Sequence, residues 1–80
     1  MNLYRISQDK NDGYDTFDSA VVAAASEEDA RMIHPSRSDW DGKTEGYDSW
    51  AAADDVTVKL VGIAVEGTQP GVVCASFNAG

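Results

Sequence analysis

Cys74 and His34 are the only cysteine and the only histidine in the chain, and a thiol beside an imidazole could act as nucleophile and base. Neither residue has neighbours that support this pairing. Cys74 lies in the apolar run VVCASF, where a free thiol ordinarily packs as a small hydrophobe. His34 closes a short helical segment, where the dipole favours a cation. No catalytic residue is assigned, and the chain is read as non-enzymatic. One Cys and one His also fall short of a zinc ligand set. Asp39, Asp41, Glu45 and Asp48 in DWDGKTEGYD offer hard oxygen donors. They lack the spacing and the closing glutamate of a calcium loop, so they read as a solvated acidic loop. The segment GTQPG lacks the Lys-Ser/Thr ending of a phosphate-binding loop. No metal and no cofactor is expected.

The groups that remain are suited to recognition. GYDTF at residues 13–17 returns as GYDSW at residues 46–50. The flanks of the two copies differ, so the repetition points to a repeated local conformation and not to a duplicated domain. Gly permits positive φ, and Asp with Ser or Thr can hold backbone N–H groups. Two outcomes follow. Either the aromatics staple two turns to a small core, the rings three residues apart meeting in each turn, or they form an aromatic and carboxylate platform for a partner. On the second reading Asp39, Trp40, Asp41, Tyr47, Asp48 and Trp50 are the partner-binding residues, with the rings as anchors and the carboxylates steering. A separate ligand-binding set is Tyr14 for stacking with Arg31 and Arg37 for a phosphate. The alternative for the two arginines is ordinary pairing with acidic neighbours.

These residues must be positioned by a few short elements. NLYRISQ at residues 2–8 alternates as a first strand, and the turn-rich DKNDG follows it. TFDSAVVAAA at residues 16–25 reads as a second strand. Ser26, with Asp29 three residues on, approximates a capping box for a helix of about two turns before Pro35. Ala30 and Ile33 share one face of it. Residues 35–55 form a long polar stretch whose Trp40, Tyr47 and Trp50 imply that it packs, with a helical turn in SWAAADD. VTVKLVGIAVEG is the clearest strand, and its apolar residues on both faces after Lys59 predict a central or doubly covered position. After the turn EGTQPG, VVCASF at residues 72–77 is the last strand. The order predicts an α+β fold over residues 1–80 as a single domain: a small antiparallel sheet of about four strands with one short helix packed on a face.

Composition limits the partners. The chain has 80 residues, of which fourteen are acidic and six basic, for a formal net charge of −8. Ten of the fourteen acids are Asp, which favours turns and caps over helix interiors. Such a surface repels nucleic-acid backbone and anionic membrane, so direct nucleic-acid binding is disfavoured and a basic partner is favoured. No disulfide can form within the chain, which suits a reduced setting. The start MNLYRISQDK has no apolar signal-like run, and no segment is long enough to span a bilayer. A core drawn from so few residues is thin, and homo-oligomerisation is a common remedy.

The stretches GYDTFDSAVVAAASEEDARMIHP and GVVCASFNAG resemble a family of short proteins encoded in bacteriophage genomes and prophages. That family pairs a YDT(Y/F)DSAVV-like strand and a SEE-ARxIHP helix with a closing CASFNAG tail. The resemblance covers most of the chain outside residues 36–55. It implies a phage gene product in the host bacterial cytoplasm, with an accessory or anti-defence role and no assigned catalytic residues. The expected function is binding a host protein through its basic surface. The alternatives are an oligomeric binder of a nucleotide or other small molecule and a minor component of the virion.

Overall fold

The computed structural model describes residues 1–36, 38, 40–43 and 49–78. Strand β1 (Asn2–Ser7) alternates as its sequence demands, burying Tyr4 and Ile6 while Arg5 faces out. It pairs antiparallel with β2 (Thr16–Ala24), placing Tyr4 opposite Val22 and Ile6 opposite Ala20. Residue 8 to residue 15 forms the connection. Strand β3 (Thr57–Ile63) adds to the free side of β1, with Val58 opposite Ile6. Strand β4 (Gly71–Asn78) adds to the free side of β2, so the order is β3-β1-β2-β4 and every pairing is antiparallel. Residues 64–70 must therefore carry the chain past the ends of β1 and β2, about 14 Å at the usual strand spacing. One four-stranded sheet with one short helix is an α+β arrangement.

The helix α1 (Glu27–Arg31) starts as its cap predicts: the Ser26 hydroxyl accepts from the Asp29 amide at 3.1 Å. Glu27, Glu28 and Asp29 occupy its first turn, where the helix dipole favours negative charge. Ala30 is fully buried and joins the cluster formed by Tyr4, Ile6, Ala20, Val22, Ala24, Trp40, Trp50, Ala53 and Val56, with Ile33 packed against it. Small residues at positions 20, 24, 30 and 53 leave room for the two indoles. The expected helical turn in SWAAADD is a 3-10 turn at Ala53–Asp55.

Gly42 ties the polar stretch down. Its φ is +86°, its carbonyl accepts from the Ala53 amide at 2.9 Å, and a Cβ there would meet the Met32 Cε at 2.9 Å. The backbone conformation favours glycine, while the Met32 methyl is the end of a flexible side chain that could move aside.

Three expectations are corrected. The segment read as a central strand is an edge strand, with Leu60 57%, Val61 50% and Ile63 80% exposed. Its apolar residues on both faces reflect lack of cover beyond Val58, not burial. Cys74 is exposed on the opposite edge strand and does not pack as a core thiol. His34 is 2% exposed and belongs to the interior, three residues past the last residue of α1, so it does not close the helix. Its Nδ1 accepts from the Ser36 amide at 3.0 Å, and its ring meets Trp40 edge-on at 5.4 Å.

Candidate binding surface

The β1–β2 connection is organised by one side chain. Gln8 Oε1 accepts from the amides of Lys10 (2.9 Å) and Asn11 (2.8 Å). Its Nε2 donates to the carbonyls of Asn11 (2.7 Å) and Phe17 (2.8 Å). A single amide thus satisfies four backbone groups that a loop of this shape would otherwise leave to water. The Thr16 hydroxyl, itself buried, donates to the Gly13 carbonyl at 2.7 Å. Asp15 sits at φ +60°, a left-handed position that Asp tolerates better than most residues.

That fixed loop presents Tyr14 at 79% exposure, together with exposed Asp9, Asp12, Asp15 and Asp18. Beside it lies an open depression of about 380 Å³, lined by Arg5, Ser7, Gln8, Asp9, Asp12, Asp18 and Thr57. Three carboxylates and several neutral acceptors around one concavity suit a cationic side chain. Arg5 supplies the depression's one basic group among the described residues.

The repeated phrase has a structural answer in its described part. The Phe17 amide, closing the first copy, donates to the carbonyl of Ser49 in the second at 2.8 Å. Asn11 Nδ2 donates to the carbonyl of Trp50 at 3.1 Å. The end of one copy is therefore bonded to the end of the other. The expected ring contact within the first copy is replaced by another: Phe17 meets Phe77 of β4 at 4.7 Å with the rings tilted by 52°, and Tyr14 is left pointing to solvent.

The residues expected at the partner surface are distributed differently. Trp50 is 1% and Trp40 7% exposed. Their rings belong to the buried core cluster, and as they stand they cannot anchor a partner. Asp41 is exposed, and its carboxylate accepts from the Lys43 amide at 2.9 Å in a local turn. Asp39, Tyr47 and Asp48 lie outside the described residues, as do Glu45 and Arg37. Of the ligand-binding set, Tyr14 is accessible. The Arg31 guanidinium is half-buried and donates to the carbonyls of Ala53 and Val56, so it braces the segment entering β3 instead of reaching for a phosphate.

A second cleft, of about 510 Å³, lies between the segment after α1 and the start of β4, lined by Met32, Ile33, His34, Pro35, Ser36, Ser38, Pro70, Gly71 and Val72. Among the described residues no three of His, Cys, Asp and Glu come together in a way that would hold a metal ion. Among them, too, no helix is long and apolar enough to cross a membrane.

The chain matches no family model, no curated protein and no solved structure.

Proposed function

We propose that this chain is a non-enzymatic binding protein whose acidic β1–β2 loop docks on a basic surface of another protein. In this reading α1 lies on the buried face of the sheet, so the loop at the sheet's end stays free for contact. The observation that carries it is the loop braced by the four hydrogen bonds of Gln8, which holds Tyr14 in solvent amid Asp9, Asp12, Asp15 and Asp18. A pre-organised loop loses little freedom on binding, and an exposed Tyr is a frequent interface anchor. The carboxylates accelerate encounter with a positive partner and make it sensitive to salt. Combined with the resemblance to phage-encoded proteins, the partner is proposed to be a host bacterial defence protein met in the cytoplasm. Asp39 and Asp41 stay in the proposed steering set.

The test is capture from bacterial lysate at two salt concentrations. The native chain is expected to retain a basic protein at low salt and release it at high salt. Tyr14→Ala should weaken that retention by about 2 kcal/mol or more, as loss of an aromatic anchor does. Asp12→Lys with Asp18→Lys should weaken both the retention and its salt dependence. Tyr14→Ala should keep the native melting temperature, because its ring is exposed. Retention of the same proteins by both variants would refute the reading.

The 510 Å³ cleft favours a second reading, a binder of a nucleotide or another small molecule. A thermal shift with nucleotides would support it; no shift with any of them would remove the nucleotide version.

A further inference from the structure

We propose that β4 is the docking edge for a second copy of this chain, the two β4 strands pairing antiparallel about a two-fold axis into one continuous sheet. Both outer strands of the sheet have an unpaired side among the described residues, but they are not equivalent. β3 carries exposed Lys59 at its middle, the residue type that blunts edges against pairing. β4 runs for 8 residues, Gly71–Asn78, with no charge and no proline. In a chain with 25% charged residues, that absence singles the strand out. Its apolar side chains are poorly covered: Val72 is 41%, Val73 58% and Phe77 47% exposed. Phe77 has Phe17 against one side of its ring at 4.7 Å.

Charge and symmetry select the occupant. An anionic or cationic partner would find no opposite charge on β4, whereas an uncharged strand lets two chains of net charge −8 approach. Antiparallel pairing about a two-fold is self-complementary, so one strand supplies both halves of the interface. The direction also separates the acidic loops. Asn78 lies opposite Thr16 at the loop end of the sheet, and Gly71 opposite Ala23 at the other. Turning one copy by the two-fold sends the two loops to opposite ends of the shared sheet.

The bulge sets the register. Val73 is the extra residue where Val21 pairs with Cys74 and Val22 with Val72. A second shift lies on β2, where Asp18 is the extra residue between the Phe17–Phe77 and Ser19–Ser76 pairs, so β4 itself runs without an inserted residue over 74–78, centred on Ser76. A strand that pairs with its own copy around a perpendicular two-fold must place its central residue opposite itself. Ser76 then faces its own counterpart, and Ala75 faces Phe77. Both Phe17–Phe77 pairs fall on one face of the joined sheet and cover each other's exposed edges.

Sedimentation of the full chain should give twice the mass of 8.5 kDa. Ser76→Lys sets two ammonium groups opposite each other and should weaken association by about tenfold or more, with unchanged far-UV circular dichroism because Ser76 is exposed. Val61→Lys, on the β3 edge, should leave the dimer intact. In a Cys74→Ser background, Ser76→Cys should give a disulfide-linked dimer with diamide as oxidant. A native chain that stays monomeric at high micromolar concentration overturns the proposal. So does a dimer untouched by Ser76→Lys, or one lost with Val61→Lys. Should Ser76→Lys fail to fold, the cross-link decides, and its absence overturns the pairing.

Discussion

Trp50→Ala is expected to cost about 3–5 kcal/mol of folding stability, the usual range for emptying a buried aromatic site. Trp50 is the largest fully buried side chain in the structure, at 1% exposure, and it shares the interior with Trp40 and His34. Ala20, Ala24, Ala30 and Ala53 of the same core cluster are too small to refill the space. The segment it anchors also receives two hydrogen bonds from the β1–β2 hairpin, Phe17 to Ser49 and Asn11 to Trp50. Small domains hold about 5–15 kcal/mol in total, and one of this size sits toward the lower end. The variant should therefore show a urea midpoint near zero, with near-ultraviolet dichroism lost. Tyr14→Ala, measured beside it, should unfold with the native chain, since its ring is 79% exposed. A Trp50→Ala midpoint equivalent to less than about 1 kcal/mol of destabilisation would mean that the polar stretch does not hold the core closed.

The strands and the helix start were legible because each is written in local chemistry. Alternation marks β1, β-branching marks β2, and the Ser26–Asp29 cap marks α1; the two strands stand within a residue of their expected limits, and α1 starts where expected but ends at Arg31, short of two turns. The four-stranded antiparallel sheet follows from the same signals. Strand order is a non-local property. The run VTVKLVGIAVEG carries apolar residues on both faces whether it is central or merely uncovered, and periodicity does not separate the two. The two indoles posed a similar ambiguity. Trp40 and Trp50 in a polar, aspartate-rich stretch fit an interface as well as an interior, and only the folded cluster they share with Ala20, Ala24, Ala30 and Ala53 assigns them to the interior.

Arg31 illustrates a further limit. Its sequence neighbours suggest carboxylates or a phosphate, yet its partners are two carbonyls more than twenty residues away, Ala53 and Val56. Backbone acceptors carry no signature in the sequence. The same is true of Gln8, which no motif singles out and which the fold uses as the organiser of the acidic loop. A signal was present in hindsight: a long amide placed directly before DKNDG, where several backbone groups must turn without a ladder to bind them.

Gln8→Met should therefore damage the loop and spare the sheet. Met matches the length of Gln and removes both ends of its amide. Four hydrogen bonds disappear, and the amides of Lys10 and Asn11 with the carbonyls of Asn11 and Phe17 lose their partner. Gln8 is half-buried, so water recovers part of the loss, and a net cost of about 2 kcal/mol is expected at roughly 0.5 kcal/mol per bond. The Gln8 backbone amide still donates to Asp18 at 3.1 Å, which keeps the hairpin in register. Amide exchange should separate the two levels: protection at Lys10 and Asn11 collapses, while protection at Ala20 and Val22 falls only as far as global stability does. Gln8→Glu is the informative companion. It keeps an acceptor for the two amides but turns both donors into acceptors facing carbonyls, and should be no better than Met. On the proposed function, both variants lower affinity for the basic partner while leaving Tyr14 and the loop carboxylates in place, because the loop must be ordered anew at each binding event. Native-like exchange at Lys10 and Asn11 in Gln8→Met would show that the loop's shape has another origin, and the link between its order and its binding would fall with it.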